Sequence, residues 1–76
     1  MKEANIRGFR VKYEEGEQAG VNYLLHDLDP HESKVFFNEA KRSKYAEFED
    51  DREGQYTLSY NQDGTFTLMR RTGDLP

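Results

Sequence analysis

The feature that most constrains the fold is a polar segment at residues 61–64, Asn-Gln-Asp-Gly, between two stretches of alternating polarity. Residues 55–60 and 65–70 carry apolar side chains at every second position, which is the pattern of a half-buried β-strand. Gly64 can adopt the positive φ that closes a short loop between two such strands. The sequence therefore predicts a closing antiparallel hairpin. Its predicted inward side chains are Tyr56, Leu58, Tyr60, Phe66 and Leu68, and its outward ones include Thr65, Thr67 and Met69.

Alternation predicts three more strands, at residues 6–13, 21–26 and 45–50. In the second of these segments every other residue from Val21 is apolar and would face the core, while Leu24 would face away. Polar segments that contain glycine separate the strands and are predicted to be loops and turns.

A helix is predicted at residues 30–43. Asp29 is an N-cap residue type, Pro30 suits the first helical position, and Glu32 completes a capping box. The expected buried stripe of this helix consists of Val35, Phe36 and Ala40, with Phe37 at its edge. The element order ββαβββ predicts an α+β fold, in which one helix packs on one face of an antiparallel or mixed five-stranded sheet.

The composition limits both the core and the functions open to the chain. Hydrophobic residues make up 34% of the 76 residues and charged residues another 34%, so few side chains, chiefly five Phe and five Tyr, must form the core. We expect one domain over residues 1–76 with a flexible tail at 72–76. Because there is no cysteine, no apolar leader and no long apolar run, we expect a cytoplasmic protein that involves no membrane.

Both histidines, His26 and His31, lie in one short segment together with Asp27 and Asp29. Imidazole and carboxylate groups are metal ligands, but their spacing matches no metal motif, and Asp29 is needed as a helix cap. We therefore expect no metal, no cofactor and no catalytic residue, with His26 and His31 as weak metal candidates. The acidic run at 47–53 also fails the spacing of a calcium loop. A small metal-dependent enzyme is the third interpretation of the chain.

Basic residues form the remaining candidate surface, although the formal net charge is −4. Such a surface would bind the phosphates of a nucleic acid or the acidic groups of a protein. Its members are Arg7, Arg10, Lys12, Lys41, Arg42 and Lys44. Among the outward side chains only Tyr45 is an aromatic residue suited to base stacking.

We therefore expect a non-enzymatic protein-interaction module, because the sequence contains no nucleophile set, no metal motif and no phosphate-binding loop. Its partner would be another protein, or a second copy of the chain paired along an exposed edge of the sheet. A nucleic-acid-binding accessory protein that uses the basic residues is the alternative.

Overall fold

The computed structural model describes residues 2–50 and 53–71, so the predicted tail at 72–76 and the first two residues of the predicted turn at 51–54 lie outside the described residues. The strands are β1 (Lys2–Ile6), β2 (Phe9–Tyr13), β3 (Tyr45–Glu49), β4 (Gln55–Tyr60) and β5 (Phe66–Arg71). The helices are α1 (Gln18–Asn22), which lies between a 3₁₀ turn (Glu15–Glu17) and a π-helical turn (Tyr23–Asp27), and α2 (Pro30–Ser43).

The five strands form one sheet in the order β1-β2-β5-β4-β3. Neighbouring strands are antiparallel except for β2 and β5, which run parallel through the pairs Val11–Phe66 and Lys12–Thr67. The predicted α+β fold, with a five-stranded sheet and a helix packed on one face, is confirmed, and the sheet is mixed.

The predicted strand at 6–13 is wrong at its beginning, because a two-residue turn divides this region into β1 and β2. Arg7 and Gly8 both have positive φ, 55° and 91°, and Ile6 pairs with Phe9 across them. Positive φ at both central residues is the geometry of the tight turns that match the twist of a hairpin. The Asn5 side chain accepts a hydrogen bond from the Gly8 amide at 2.9 Å, which holds the turn.

The predicted strand at 21–26 is also wrong, because this segment is helical. Val21 and Leu24 are both fully or almost fully buried, and a spacing of three residues places them on one face of a helix. Tyr23 and Leu25, which alternation assigned to the core, are only partly buried. Leu24, the residue that departed from the alternation, is therefore the one that the core requires.

Helix α2 begins and ends as predicted. The Asp29 carboxylate accepts a hydrogen bond from the Glu32 amide at 2.8 Å, and the Glu32 carboxylate accepts one from the Asp29 amide at 3.2 Å. The buried face differs from the prediction, since Val35 is 53% exposed whereas Phe37 is completely buried. The buried stripe of α2 consists of Ser33, Phe37 and Ala40, and the Ser33 hydroxyl donates to the carbonyl of Leu24.

The core lies between the helices and one face of the sheet. Phe9 of β2 stacks on Phe37 of α2 with ring centroids 4.4 Å apart, and Phe66 of β5 meets both rings edge-on. The buried apolar residues are Ile6, Val11, Tyr13, Val21, Leu24, Phe37, Ala40, Ala46, Phe48, Tyr56, Leu58, Phe66 and Leu68. All members of this set that come from strands share one face, so the register leaves the other face to side chains that are mostly polar, with Tyr45 and Met69 among them.

The predicted hairpin at 55–70 is confirmed. The amide of Asn61 donates to the carbonyl of Thr65 at 2.8 Å, and Gly64 has a φ of 89°. Thr65 was predicted to face outward but is buried, because its hydroxyl and amide both donate to the Asp63 carboxylate.

Candidate functional site

Within residues 2–50 and 53–71, the helical residues of the core all pack on the same face of the sheet, which leaves the second face uncovered. We call this second face the open face; its members include Lys12, Tyr45, Glu47, Thr57, Ser59, Thr67 and Met69. Strand register aligns Lys12, Thr67, Ser59 and Tyr45 in one row across β2, β5, β4 and β3.

Two exposed, large hydrophobic side chains project from the open face among the described residues. Met69 is 58% exposed on the central strand β5, and Tyr45 is 52% exposed at the edge strand β3. Between them lie short hydroxyl side chains that are partly buried, Thr57, Ser59 and Thr67. The result is a surface of short hydroxyl side chains with an apolar thioether on its central strand and an aromatic ring at its edge. Alternation had predicted the outward direction of both large residues, but it gave no sign that Met69 is central.

The cations of the open face have carboxylate neighbours within the molecule. Arg10 lies 3.8 Å from Glu3, and Lys12 lies 3.7 Å from Asp63. On β5, Arg71 lies 3.8 Å from Glu47. Exposed pairs of this kind contribute little to stability. They do reduce the local positive charge, so the open face lacks the excess of cations that a phosphate backbone requires.

The six basic residues predicted to form one partner surface are distributed among different environments. Arg42 pairs with Glu39 on α2, and Lys44 ends that helix with a φ of 78° while its carbonyl accepts from the Tyr60 amide at 2.9 Å. Arg10 and Lys41 are brought together, since both line a groove at one end of the sheet.

Arg7 holds two parts of the fold together instead of facing a partner. Its guanidinium donates to the carbonyls of Leu25 at 2.7 Å and Leu28 at 3.2 Å, where the π-helical turn ends. Its Nε atom is buried and has no hydrogen-bond partner among the described residues. These contacts tie the β1–β2 turn to the segment that precedes α2.

Replacing Arg7 with methionine is expected to lower the free energy of unfolding by about 1–2 kcal/mol, because two helix-end carbonyls lose their charged donor. Urea denaturation followed by circular dichroism measures this change. Arg10→Met is the matched control; the Arg10 side chain is 68% exposed, so its loss should change stability by less than about 0.5 kcal/mol. Equal effects of the two substitutions would contradict a structural role for Arg7.

The weak metal candidates, His26 and His31, are both exposed and lie on either side of the junction between the π-helical turn and α2. In the described part of the chain, no three His, Cys, Asp or Glu side chains converge as a metal site would require. Asp29, the acid between the two histidines, is engaged in the helix cap.

A tyrosine–carboxylate pair lies at the β3–β4 connection. The Tyr56 hydroxyl donates to Asp50 at 3.2 Å, and the Gly54 amide donates to the same carboxylate at 2.7 Å. Burial raises the pKa of Tyr56 above its ordinary value, and the negative charge of Asp50 raises it further. The hydroxyl therefore remains protonated at neutral pH and acts as a donor that fixes the connection.

None of the helices in the described ranges has the length and apolar character needed to cross a membrane. We found no protein-family model, no curated protein and no solved structure that matches this chain.

Proposed function

We propose that this chain is a non-enzymatic, cytoplasmic protein-interaction module that binds a protein partner through its open face. The observation that carries the proposal is the exposure of Met69, on the central strand, within a sheet face that the helices of the described residues leave uncovered. Flexible, polarizable methionine side chains suit binding surfaces because they adapt to the shape of a partner.

The composition of the open face supports a protein partner over a nucleic acid. Its cations lie beside carboxylates, and its central residues are hydroxyl and thioether side chains. A protein partner can cover such a surface with apolar groups, and the charged pairs then form the polar rim that surrounds most interfaces. The alternative, a nucleic-acid-binding protein, requires cations that are free to displace counterions along a strand.

Self-association through a sheet edge is a second form of the same proposal. Strands β1 and β3 are the two edges of the sheet. Glu47 and Glu49 point outward from β3, so two copies paired there would oppose like charges, whereas β1 carries Lys2 and Glu3 side by side. If a second copy binds along an edge, β1 is the edge that accepts it.

The test is site-specific photo-crosslinking in cells that produce the protein, with a benzophenone amino acid at position 69 or, as a control, at position 34. Lys34 is exposed on α2, away from the open face. We expect position 69 to give discrete adducts with a protein and position 34 to give none. An adduct of twice the 9.0 kDa chain mass would identify a second copy as that protein.

Additional expression of unlabelled chain should compete for the adduct, and unlabelled chain carrying Met69→Glu should not, because a buried, unpaired carboxylate opposes docking. The proposal would be overturned if both positions gave the same adducts, or if position 69 gave none while the protein was folded.

A further inference from the structure

A groove at one end of the sheet, which shares Arg10 with the open face, has the composition of a ligand site. It forms where the pairing of β2 with β5 ends. These strands pair only through Val11–Phe66 and Lys12–Thr67, and the residues that precede these pairs belong to the β1–β2 turn and the β4–β5 loop. Helix α2 closes the third side through Lys41. The groove has a volume of about 440 Å³, within the range of small-molecule sites, roughly 300–1,000 Å³.

Hydrogen-bond donors predominate on the walls of this groove. Arg10 and Lys41 contribute a guanidinium and an ammonium group, and Tyr60 contributes a hydroxyl. The Oδ1 atom of Asn5 already accepts from the Gly8 amide, so the amide nitrogen of Asn5 remains as a donor. This excess of donors favours an anionic ligand.

Among the described residues that line the groove, the carboxylate is that of Asp63, and it is already engaged. Its Oδ1 accepts from the Thr65 hydroxyl at 2.6 Å and from the Thr65 amide at 3.0 Å, while Oδ2 lies 3.7 Å from the Lys12 ammonium. The hydrogen bonds from Thr65 lower the pKa of Asp63, with a further contribution from Lys12. Asp63 is therefore a charged but largely satisfied acceptor. Arg10 also lies 3.8 Å from the Glu3 carboxylate, but this exposed pair is too long for a hydrogen bond, so an anion can compete with Glu3 for the guanidinium.

One aromatic ring of the groove is available for stacking. Phe9 is covered by Phe37 on one side and has the Lys41 ammonium 5.0 Å from its ring centroid. Tyr60 is 38% exposed, contacts Phe66 at a centroid distance of 5.1 Å and lines the groove. Sequence alternation had placed Tyr60 inward and so did not identify it as a stacking surface.

We propose that this groove binds a nucleoside phosphate, with the phosphate between Arg10 and Lys41 and the base against Tyr60. Cationic donors of this kind form charge-assisted hydrogen bonds to phosphate oxygens, and an aromatic ring accepts any base by stacking. The site goes beyond the protein interaction proposed for the open face, and its stacking residue Tyr60 lies on the opposite face of the sheet from Met69.

The experiment is titration of the ¹⁵N-labelled chain with adenosine monophosphate, with inorganic phosphate and with adenosine, followed by NMR. We expect adenosine monophosphate to shift the amides of Gly8, Arg10, Gly64 and Thr65. Arg10→Gln and Lys41→Gln should each weaken binding about tenfold, the cost of one charge-assisted hydrogen bond. Tyr60→Leu should weaken the binding of adenosine monophosphate and leave the affinity for inorganic phosphate unchanged.

Lys34→Gln is the matched control, because Lys34 lies seven residues before Lys41 on the same face of α2 and does not line the groove. It should change the affinity less than twofold, and Met69→Glu should also leave nucleotide binding intact. The proposal is overturned if adenosine monophosphate shifts none of the groove amides, if Lys34→Gln costs as much as Lys41→Gln, or if inorganic phosphate binds as tightly as the nucleotide.

Titration with a five-nucleotide single strand distinguishes the two sources of this ligand, a free nucleotide and one nucleotide of a nucleic-acid strand. Affinity equal to that of the mononucleotide supports a free nucleotide as the natural ligand. A much tighter complex that weakens steeply with salt supports the same groove recognising one nucleotide of a strand. In both cases Arg10→Gln and Tyr60→Leu must reduce the affinity, and binding of the strand that neither substitution affects would refute the site.

Discussion

Replacing Phe66 with alanine is expected to remove a large share of the stability of the domain. The side chain is completely buried, and its ring meets Phe9, Phe37 and Tyr60 at centroid distances of 5.6, 4.9 and 5.1 Å. Loss of a buried phenylalanine costs about 3–5 kcal/mol. At roughly 0.05–0.15 kcal/mol per residue, the whole 76-residue chain has only about 4–11 kcal/mol.

Thermal and urea unfolding, monitored by circular dichroism, will measure the loss. Because 1 kcal/mol corresponds to about 4–8 °C in a domain of this size, Phe66→Ala should lower the Tm by at least about 12 °C. Met69→Ala is the control on the same strand, since Met69 faces outward, and it should change stability by less than about 0.5 kcal/mol. Similar Tm values for the two variants would show that the ring cluster is not the centre of the core.

The second large effect is expected at Gly20, where a valine should destabilise the fold by about 3 kcal/mol. A Cβ atom at this position would lie 2.8 Å from Cε1 of Tyr56 and 3.1 Å from Cδ2 of Leu68. Tyr56 cannot easily move aside, because its ring stacks on Phe48 and its hydroxyl is bonded to Asp50. Overpacking of a close-packed core typically costs about 1–3 kcal/mol, and the γ-methyl groups of valine place this case at the upper end.

Gly16→Val is the matched control for this substitution. A Cβ at Gly16 meets no atom within 4 Å, and its φ is not in the left-handed region. The control should therefore remain within about 0.5 kcal/mol of the native chain. If Gly20→Val and Gly16→Val had equal unfolding midpoints in urea, close packing of α1 on β4 and β5 would be disproved.

The parts of the fold that were predictable are those set by local chemistry. The capping residues of α2 and the polar loop of the β4–β5 hairpin act within a few residues of one another. The helix around Leu24 was not predicted, because in a short segment the same apolar residues satisfy a period of two or of 3.6. Only burial against the sheet shows which period applies, and Val21 and Leu24 together then indicate a helix.

The candidate sites likewise contain features that local sequence predicts and features that only the tertiary structure brings together. The outward direction of Tyr45 and Met69 follows from strand alternation, which is local. The groove depends on pairing between β2 and β5 and on the position of α2, so no sequence pattern placed Arg10 beside Lys41. The charge of Arg7 predicted a place on a partner surface. Its guanidinium instead donates to the carbonyls of Leu25 and Leu28, which lie 18 and 21 positions further along the chain.

The parallel pairing of β2 with β5 also affects how the chain reaches its native state. Val11 pairs with Phe66, a separation of 55 residues obtained from 66 − 11. Contacts between residues this far apart in sequence form late and slow the folding of small domains. The entropy cost of closing the long loop is incurred before the strand pairing stabilises the fold. During synthesis on the ribosome, the β1–β2 hairpin therefore waits for β5 to emerge. Until then the side of β2 that faces away from β1 keeps unpaired backbone groups, which favour association with other chains.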